Sequence, residues 1–208
     1  MIKWCEGGVS MDIEIKLVLK TSDNAKTMDD KRKKVMCKKL KELTGLSTSK
    51  ILETYHKKSN SYAVDMQSIM QNIGVSVSSF NFSELNQEIE RNILGAIVLH
   101  GDNLAVFVSN KCSQAEQRFI LAHELGHCCL HGTTLKATKI ECASDFDSGN
   151  PHEHEADLFA DQLLLPEKEF IEVCNKFETQ KIDISIMADI FCVPTECILR
   201  RLVSLGIN

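Results

Sequence analysis

Two repeating patterns of apolar positions run along the chain and predict its secondary structure. Apolar residues at every second position indicate a strand, and apolar residues three or four positions apart indicate a helix. In chain order these patterns predict a strand at 11–20, helices at 26–43, 50–57 and 65–72, and strands at 75–80, 93–100 and 104–108. Gly74 is a suitable residue to end the third helix. Because Gly101-Asp102-Asn103 is a compact turn, we predict that the last two strands form a hairpin.

The second half of the chain is predicted to be helical. Residues 114–130 contain no proline and are rich in apolar side chains, which suits a long buried helix. Asn150 and Pro151 are favoured at the start of a helix, and Pro166 ends that helix. Two short helices follow at 182–205. Because the hairpin leads directly into the long helix, we predict an α+β fold that is mainly helical, with a small sheet packed on this helix.

Composition and charge narrow the class of protein. A hydrophobic fraction of 43% and a charged fraction of 25% are typical of a globular protein. A net charge of −5 provides no general attraction for nucleic acid or for an acidic membrane, and the apolar runs are too short to span a bilayer. The nine cysteines, including the adjacent Cys128 and Cys129, form no C-x-x-C pair, so we predict buried, reduced thiols and a cytoplasmic location.

The long predicted helix contains the strongest chemical motif, since His123, Glu124 and His127 form H-E-x-x-H. Residues four apart lie one turn apart on the same helix face, so both imidazoles can reach one metal ion. Glu124 is then placed to take a proton from a water at that ion. The competing interpretation is an amphipathic helix whose histidines align by chance. The apolar surroundings and an acidic helix downstream favour the metal site.

A hydrolytic zinc site needs a third protein ligand, and the helix that begins after Asn150 supplies the candidates. Glu153 shares one helix face with Ala156, Asp157 and Ala160. The two alanines allow a close approach to the H-E-x-x-H helix, and Asp157 is predicted to hold a liganding imidazole by its other ring nitrogen. We therefore predict Glu153 as the third ligand.

Alternatives for the third ligand stay open. Glu155 is the second choice, and the competing role for Glu153 is that of a capping-box partner for Asn150, three residues earlier. Cys142 is a further candidate, although thiolate ligands suit structural zinc better than hydrolytic zinc.

Other polar residues are candidates for contacts beyond the metal ligands. His131 lies roughly 12 Å along the helix axis from His123, too far to share one ion without distortion. We predict that His131 contacts substrate, caps the helix or has a structural role. Amide hydrolysis also needs a group that stabilises the oxyanion, and the candidates for this role are His152, His154 and Tyr62.

The two predicted site helices together carry a family resemblance. The motifs are Arg118-Phe-x-x-Ala-His-Glu-Leu-Gly-His-x-x-Leu-His131 and, further on, Glu153-x-x-Ala-Asp-x-Phe-Ala-x-x-Leu-Leu-Leu-Pro166. In this order they resemble the ImmA/IrrE family of zinc metallopeptidases, and the resemblance extends from about residue 50 to the C-terminus. Leu165 stands where methionine is common in the family, a change that should not affect the chemistry.

The resemblance implies a zincin-like fold of the gluzincin type, with zinc bound by His123, His127 and Glu153 and with Glu124 as the general base. It also implies a protein substrate, namely a helix-turn-helix repressor of phage or mobile-element type, whose cleavage releases transcription. The expected function is therefore that of an intracellular zinc endopeptidase. Manganese and iron also accept these ligand types and stay alternatives to zinc.

Two hypotheses of other classes compete with the enzyme. The first is a metal-stabilised antirepressor that acts by binding the repressor without cutting it. The second is a DNA-binding regulator that uses the basic run Lys31-Arg32-Lys33-Lys34. Because a charge run of this kind is usually a solvated helix face, we expect no direct contact with nucleic acid and none with a membrane.

The resemblance also suggests how the chain divides. Residues 1–49 are predicted to form an N-terminal extension with a basic helix, and residues 50–208 the peptidase domain. Its C-terminal part, from about residue 180, is predicted to be a helical packing subdomain. A DNA-binding role for this part is disfavoured, because Arg200 and Arg201 are its only arginines. The codons possible for residues 6–9 resemble a ribosome-binding site, so one hypothesis holds that Met11 is the natural start and that residues 1–10 are not native.

Overall fold

The computed structural model describes residues 37–57, 59–81, 94–100, 103–133, 150–177 and 181–207. In chain order their elements are α1 (Lys38–Leu43), α2 (Thr48–Tyr55), α3 (Met66–Ile73), β1 (Ser76–Phe80), β2 (Gly95–His100), β3 (Asn103–Ser109), α4 (Gln114–His131), α5 (Pro151–Leu164), α6 (Glu167–Asn175), α7 (Ile184–Phe191) and α8 (Thr195–Leu205). The predictions made for residues 1–36, for Gly101 and Asp102 in the turn and for Cys142 lie outside the described residues.

The fold is α+β and mainly helical, as the apolar patterns predict. The helices predicted near 50–57, 65–72, 114–130 and 182–205 are confirmed, with ends that differ by a few residues. α6 was not assigned from the sequence, because its buried side chains are only Phe170 and Val173. Within the described part of the chain, no helix is both long and apolar enough to cross a membrane.

Among the described residues, β3 is the central strand of a three-stranded sheet with the order β1-β3-β2. β2 pairs with β3 in the antiparallel sense, with Ala96 opposite Phe107, which confirms the predicted hairpin. β1 pairs with β3 in the parallel sense, with Ser78 opposite Phe107. Since both β2 and β3 contact α4, the sheet lies against the H-E-x-x-H helix, as predicted.

Side-chain caps explain where the two site helices begin. The hydroxyl of Ser113 accepts a hydrogen bond from the Glu116 N–H, and the Glu116 carboxylate accepts one from the Ser113 N–H, which forms a capping box on α4. On α5, the side chain of Asn150 accepts a hydrogen bond from the His152 N–H, and Pro151 occupies the first helical position. These caps fix the helical phase of the residues that follow.

The close approach of α4 and α5 depends on small residues. A Cβ added to Gly126 would lie 3.3 Å from both the Cα and the carbonyl oxygen of Ala156. Ala156 and Ala160 are fully buried. The face of α5 that carries these two alanines therefore packs on α4, as predicted. This packing brings the acidic start of α5 beside the histidines.

α1 packs in the core beside α4, although it precedes residue 50. Leu40 and Leu43 are almost fully buried. The backbone N–H of Gly45 donates a hydrogen bond of 2.8 Å to the carbonyl oxygen of Cys129 on α4. Residues 37–45 thus pack against α4, while the division of the chain after residue 49 stays a prediction.

The two adjacent cysteines of α4 are buried, as predicted. Cys128 and Cys129 are each only 1% exposed. Burial raises the pKa of the Cys129 thiol to about 12 and the pKa of the Cys128 thiol well above its ordinary value. Both side chains therefore stay protonated at neutral pH and fill the core as small apolar groups.

Arginine side chains tie α7 and α8 to the two site helices. The turn between α7 and α8 is made by Cys192, with φ of 52°, and the Arg118 guanidinium of α4 donates to its carbonyl oxygen at 3.0 Å. Arg200 forms a two-point ion pair with Asp161 of α5, at 2.6 and 2.9 Å. Arg201 donates to a backbone carbonyl at the end of α5 at 3.0 Å. The guanidinium groups of Arg200 and Arg201, like that of Arg118, thus contact other parts of the protein.

Candidate metal centre

The three motif residues of α4 lie in the interior, where the helix packs against both the sheet and α5. His123, Glu124 and His127 are between 0% and 3% exposed. The Nε2 atoms of His123 and His127 lie 3.0 Å apart, one helical turn from each other on the same face. The spacing of four residues therefore directs both ring nitrogens to one point, as the motif predicts.

Glu153 of α5 reaches the same point from the opposite helix. Its Oε2 atom lies 3.1 Å from the Nε2 atom of His123 and 3.4 Å from the Nε2 atom of His127. The potential ligand atoms of these three residues all lie within 4.8 Å of one another. Glu153 is only partly buried, whereas both histidines are buried. The carboxylate thus contacts the histidines rather than the start of its own helix.

Each histidine of the cluster is also held at its other ring nitrogen. The Nδ1 atom of His123 lies 2.8 Å from the Oδ1 atom of Asp157, which is the contact predicted from helical phase. The Nδ1 atom of His127 lies 3.1 Å from the Nδ1 atom of His131. Partners of this kind fix the orientation of a ligating imidazole and leave its Nε2 lone pair for a metal ion.

The charges around the cluster favour a positive group at its centre. Burial lowers the pKa of His123, but the hydrogen bonds to Asp157 and Glu153 outweigh it and raise this pKa to about 9. Hydrogen bonds with His123 and His127 hold the pKa of Glu153 well below its ordinary range. Either a proton on an imidazole or a divalent cation can supply the positive charge that the two carboxylates attract.

Glu124 is a buried carboxylate for which the described part of the protein provides no hydrogen bond. Neither Oε1 nor Oε2 has a partner there, although the residue is fully buried. Burial raises the pKa of Glu124 to about 8. Because an unsatisfied buried polar group is costly, such a group in a folded protein marks a place for a water, an ion or a substrate.

The three potential ligands fit one divalent cation and leave one coordination position open. Two imidazole nitrogens and one carboxylate oxygen are the three protein ligands of a common class of catalytic zinc site, which keeps its fourth position for water or substrate. The unpartnered carboxylate of Glu124 follows the first of these ligands directly in the chain. The residues present therefore fit a metal ion and a water beside a proton acceptor.

The backbone of β2 lies directly against Glu124. A Cβ added to Gly95, the first residue of β2, would lie 2.4 Å from the Cγ2 atom of Ile120 and 2.8 Å from the Oε1 atom of Glu124. Only glycine fits here without a shift of its neighbours. No local sequence pattern marks Gly95, because the contact joins a strand to a helix.

We expect a Gly95→Ala variant to be less stable and to lose activity. The added methyl group overpacks the contact with Ile120, which should cost about 1–3 kcal/mol and lower Tm by roughly 2–4 °C for each kcal/mol. Displacing the Glu124 carboxylate by about 1 Å should reduce turnover by about 100-fold. Thermal unfolding and a peptide-cleavage assay check these two effects. A variant with wild-type Tm and turnover would contradict the contact.

The remaining predicted residues lie in three places. His131 and His152 lie together, with ring centroids 4.3 Å apart, and His131 Nε2 is 2.8 Å from the Glu155 carboxylate. Tyr62 instead bonds through its hydroxyl with one side chain of α6 and one directly after it, and its ring lies against Phe191 of α7. His154 is exposed on α5. The oxyanion role proposed for His152, His154 and Tyr62 stays a prediction.

An Asp157→Asn variant is expected to bind metal more weakly while keeping the fold. The amide retains an acceptor for His123 but loses the negative charge that makes the imidazole a better ligand, so affinity for zinc should fall by about 10–100-fold. Competition with a chromophoric chelator measures this. Asp189→Asn, at an exposed position on α7, is the matched control and should bind as the wild type does. Equal affinities for the two variants would rule out the role of Asp157.

Comparisons with known proteins found similar chains among phage proteins and among solved structures. The "uncharacterized immunity region protein 2" of Bacillus phage phi105 is 27% identical to this chain over 119 residues. The aligned segment is 57% of this chain and 72% of that protein. Among solved structures, a Mycobacterium tuberculosis transcriptional regulator is 16% identical with a TM-score of 0.44. That match covers 93% of this chain and 46% of the regulator, so the chain spans about half the length of that structure.

A family model covers both halves of the candidate metal centre. The model for Peptidase M78, described as an IrrE N-terminal-like domain, matches residues 97–203. This segment takes up more than half of the chain and contains the H-E-x-x-H motif of α4 as well as Glu153 and Asp157 of α5. By this match the chain belongs to the Peptidase M78 family of IrrE N-terminal-like domains, the metallopeptidase family that its sequence motifs resemble.

Proposed function

We propose that this protein is a zinc-dependent endopeptidase that cleaves a helix-turn-helix repressor and thereby relieves repression. The observation that carries the proposal is the pairing of three convergent ligand atoms with a buried carboxylate that has no hydrogen-bond partner in the described chain. A structural metal site would have no use for this carboxylate. A hydrolytic site requires it as a proton acceptor.

His123, His127 and Glu153 would hold the ion. When bound, the ion supplies Lewis-acid chemistry, which acidifies a water molecule and polarises a carbonyl group. The ligand types favour zinc, and manganese and iron stay alternatives. Asp157 orients His123 through its Nδ1 atom, at 2.8 Å. The gluzincin-like character of the fold belongs to this proposal, since it depends on Glu153 being the third ligand.

Glu124 would act as the general base and then as the general acid. Its carboxylate takes a proton from the attacking water and delivers that proton to the nitrogen of the departing amine. Neither oxygen of this carboxylate has a hydrogen-bond partner in the described chain, so both stay available for these proton transfers. The stabilising group for the oxyanion would come from among His152, His154 and Tyr62.

The outer edge of β2 is the proposed place for the substrate backbone. β2 stands at one end of the strand order, and its first residue, Gly95, lies against Glu124. An extended peptide that adds to this edge forms main-chain hydrogen bonds with the strand, and its carbonyl groups pass the proton acceptor. This mode of binding suits an endopeptidase, because it recognises the middle of a chain and not its ends.

The choice of a repressor as substrate rests on the family resemblance together with one relative. The similar phage protein is named for an immunity region. Such a role would place the protein in the cytoplasm with the repressor, and it requires no direct contact with DNA or membrane.

The direct test uses the purified protein with a helix-turn-helix repressor encoded next to its gene. We expect two repressor fragments after addition of zinc, no cleavage in the presence of a chelator, and recovery when zinc is restored. Cleavage that persists after complete removal of metal would contradict the proposed mechanism. An intact repressor under all conditions would contradict this substrate, and a panel of repressors from mobile elements would then test the class.

A further inference from the structure

A third histidine stands behind the cluster on the same face of α4. His131 follows His127 by one turn, and it is only 7% exposed. Its Nδ1 atom lies 3.1 Å from the Nδ1 atom of His127, and its Nε2 atom lies 2.8 Å from the Oε2 atom of Glu155 on α5. The imidazole of His131 therefore bridges a proposed metal ligand and a carboxylate.

The positions of the ring protons follow from these two contacts. When His127 offers the lone pair of its Nε2 atom to an ion, its neutral ring carries the proton on Nδ1. That N–H donates to the Nδ1 atom of His131, which must then be the unprotonated nitrogen of its ring. The proton of His131 accordingly lies on Nε2 and is donated to the Glu155 carboxylate. No other arrangement of two neutral rings satisfies both contacts.

We propose that His131 and Glu155 form a relay that positions His127 and strengthens it as a ligand. The proposal rests on the proposed metal site, because it concerns how that site is built. The negative charge of Glu155 polarises the imidazole of His131, which in turn draws the Nδ1 proton of His127 and makes its Nε2 atom more basic. His131 is in this sense a positioning residue and does not touch the substrate.

With this relay, three acidic residues of α5 have different roles at the two histidine ligands. Glu153 supplies a ligand atom, Asp157 supports His123 directly, and Glu155 supports the other histidine through His131. The side chain of Glu155 is 58% exposed, whereas that of Asp157 is 11% exposed. Solvent screens the charge of Glu155 more strongly, so its contribution should be the smaller of the two.

A second metal ion is the competing interpretation of these residues. Potential ligand atoms of His131, His152 and Glu155 also lie within 4.8 Å of one another. However, the Nε2 atom of His131 cannot donate its proton to Glu155 and offer a lone pair to an ion at the same time. With the relay in place, the chain should therefore bind one ion and not two.

The test compares two variants with the same branched shape and the same number of side-chain heavy atoms, His131→Leu and His131→Asn. Leucine removes both hydrogen bonds, so we expect zinc affinity to fall by about 10–100-fold. The side-chain oxygen of asparagine can still accept the proton of His127, so this variant should recover most of the loss. A role limited to packing would give the two variants equal affinity. Competition with a chromophoric chelator on the full chain measures affinity and stoichiometry together.

Glu155 provides an arm of the test that leaves the core untouched. We expect Glu155→Gln to weaken zinc binding by up to about tenfold, and Glu167→Gln, an exposed change of the same charge on α6, to leave affinity unchanged. The nitrogen chemical shifts of the imidazoles in the wild-type protein with zinc should identify His131 as protonated on Nε2. This measurement decides the question even if the His131 variants do not fold.

The outcomes separate the relay from the metal site itself. If the wild type binds zinc and His131→Leu binds it equally well, the relay is wrong and the metal site stands. A second equivalent of zinc that disappears in Glu155→Gln would also overturn the relay, in favour of a second ion. A wild type that binds no zinc would overturn both proposals together.

Discussion

Replacement of Glu124 by glutamine should leave a protein that binds zinc and no longer cleaves the repressor. Glutamine has the shape of glutamate, but its neutral amide cannot take a proton from water. The loss of a general base typically reduces turnover by about 100- to 10,000-fold. Glu124 is not among the three convergent ligands, so zinc affinity should stay near that of the wild type.

Stability provides a second readout of the same variant. Glu124 is fully buried, and neither of its carboxylate oxygens has a hydrogen-bond partner in the described chain. Burial raises the pKa of Glu124 to about 8, which costs the wild type stability at pH values above the ordinary pKa of glutamate. A neutral amide carries no such cost, so Tm of Glu124→Gln should equal or exceed that of the wild type. A marked fall in Tm would mean that the carboxylate contributes to the fold, and the loss of cleavage could then not be assigned to chemistry.

The same variant separates the enzyme from a metal-stabilised antirepressor. An antirepressor acts by binding, so Glu124→Gln would still relieve repression in a reporter strain while the repressor stays intact on a gel. If the protein is an endopeptidase, Glu124→Gln should also leave the repressor intact, but repression should then be maintained. Cleavage at the wild-type rate would contradict both the proposed role of Glu124 and the antirepressor hypothesis, which allows no cleavage.

The clustering of His123, His127 and Glu153 could be predicted from the sequence because it depends on local helix geometry. The spacing of His123 and His127 alone places both imidazoles on one helix face. The cap at Asn150 sets the phase of α5, and from this phase Glu153 is preferred over Glu155 as the residue nearest the histidines. Capping signals and side-chain spacing were therefore sufficient for these contacts.

What could not be predicted depends on contacts between elements distant in the chain. The fit of Gly95 against Glu124 follows from how β2 lies on α4, and no local pattern indicates it. The contact of His131 with His127 had a signal that was available, since the two histidines are four residues apart. Its chemical meaning, however, required Glu155 of α5 on the far side of the ring.

The short distance between Glu153 and Glu155 in sequence makes the two carboxylates a sharp test of the site. They lie two residues apart on α5, so their side chains point in different directions around the helix. Glu153 contacts the Nε2 atoms of His123 and His127, whereas Glu155 contacts His131. The same substitution at the two positions should therefore have unequal effects on metal binding.

We expect Glu153→Gln to weaken zinc binding by more than about 100-fold, because it removes an anionic ligand and not merely the support of one. At a zinc concentration 100-fold above its Kd, the wild type should gain about 2.7 kcal/mol of stability, which corresponds to a rise in Tm of roughly 5–10 °C. Under the same conditions Glu153→Gln should gain less than about 0.5 kcal/mol.

Glu155→Gln is the matched control for this experiment. A tenfold loss of affinity would still leave about 1.4 kcal/mol of stabilisation by zinc, or about half of the wild-type rise in Tm. Differential scanning calorimetry with and without zinc measures all three proteins under the same conditions. If Glu155→Gln abolished the zinc-dependent rise and Glu153→Gln retained it, Glu155 would be the third ligand and the arrangement proposed for α5 would be reversed.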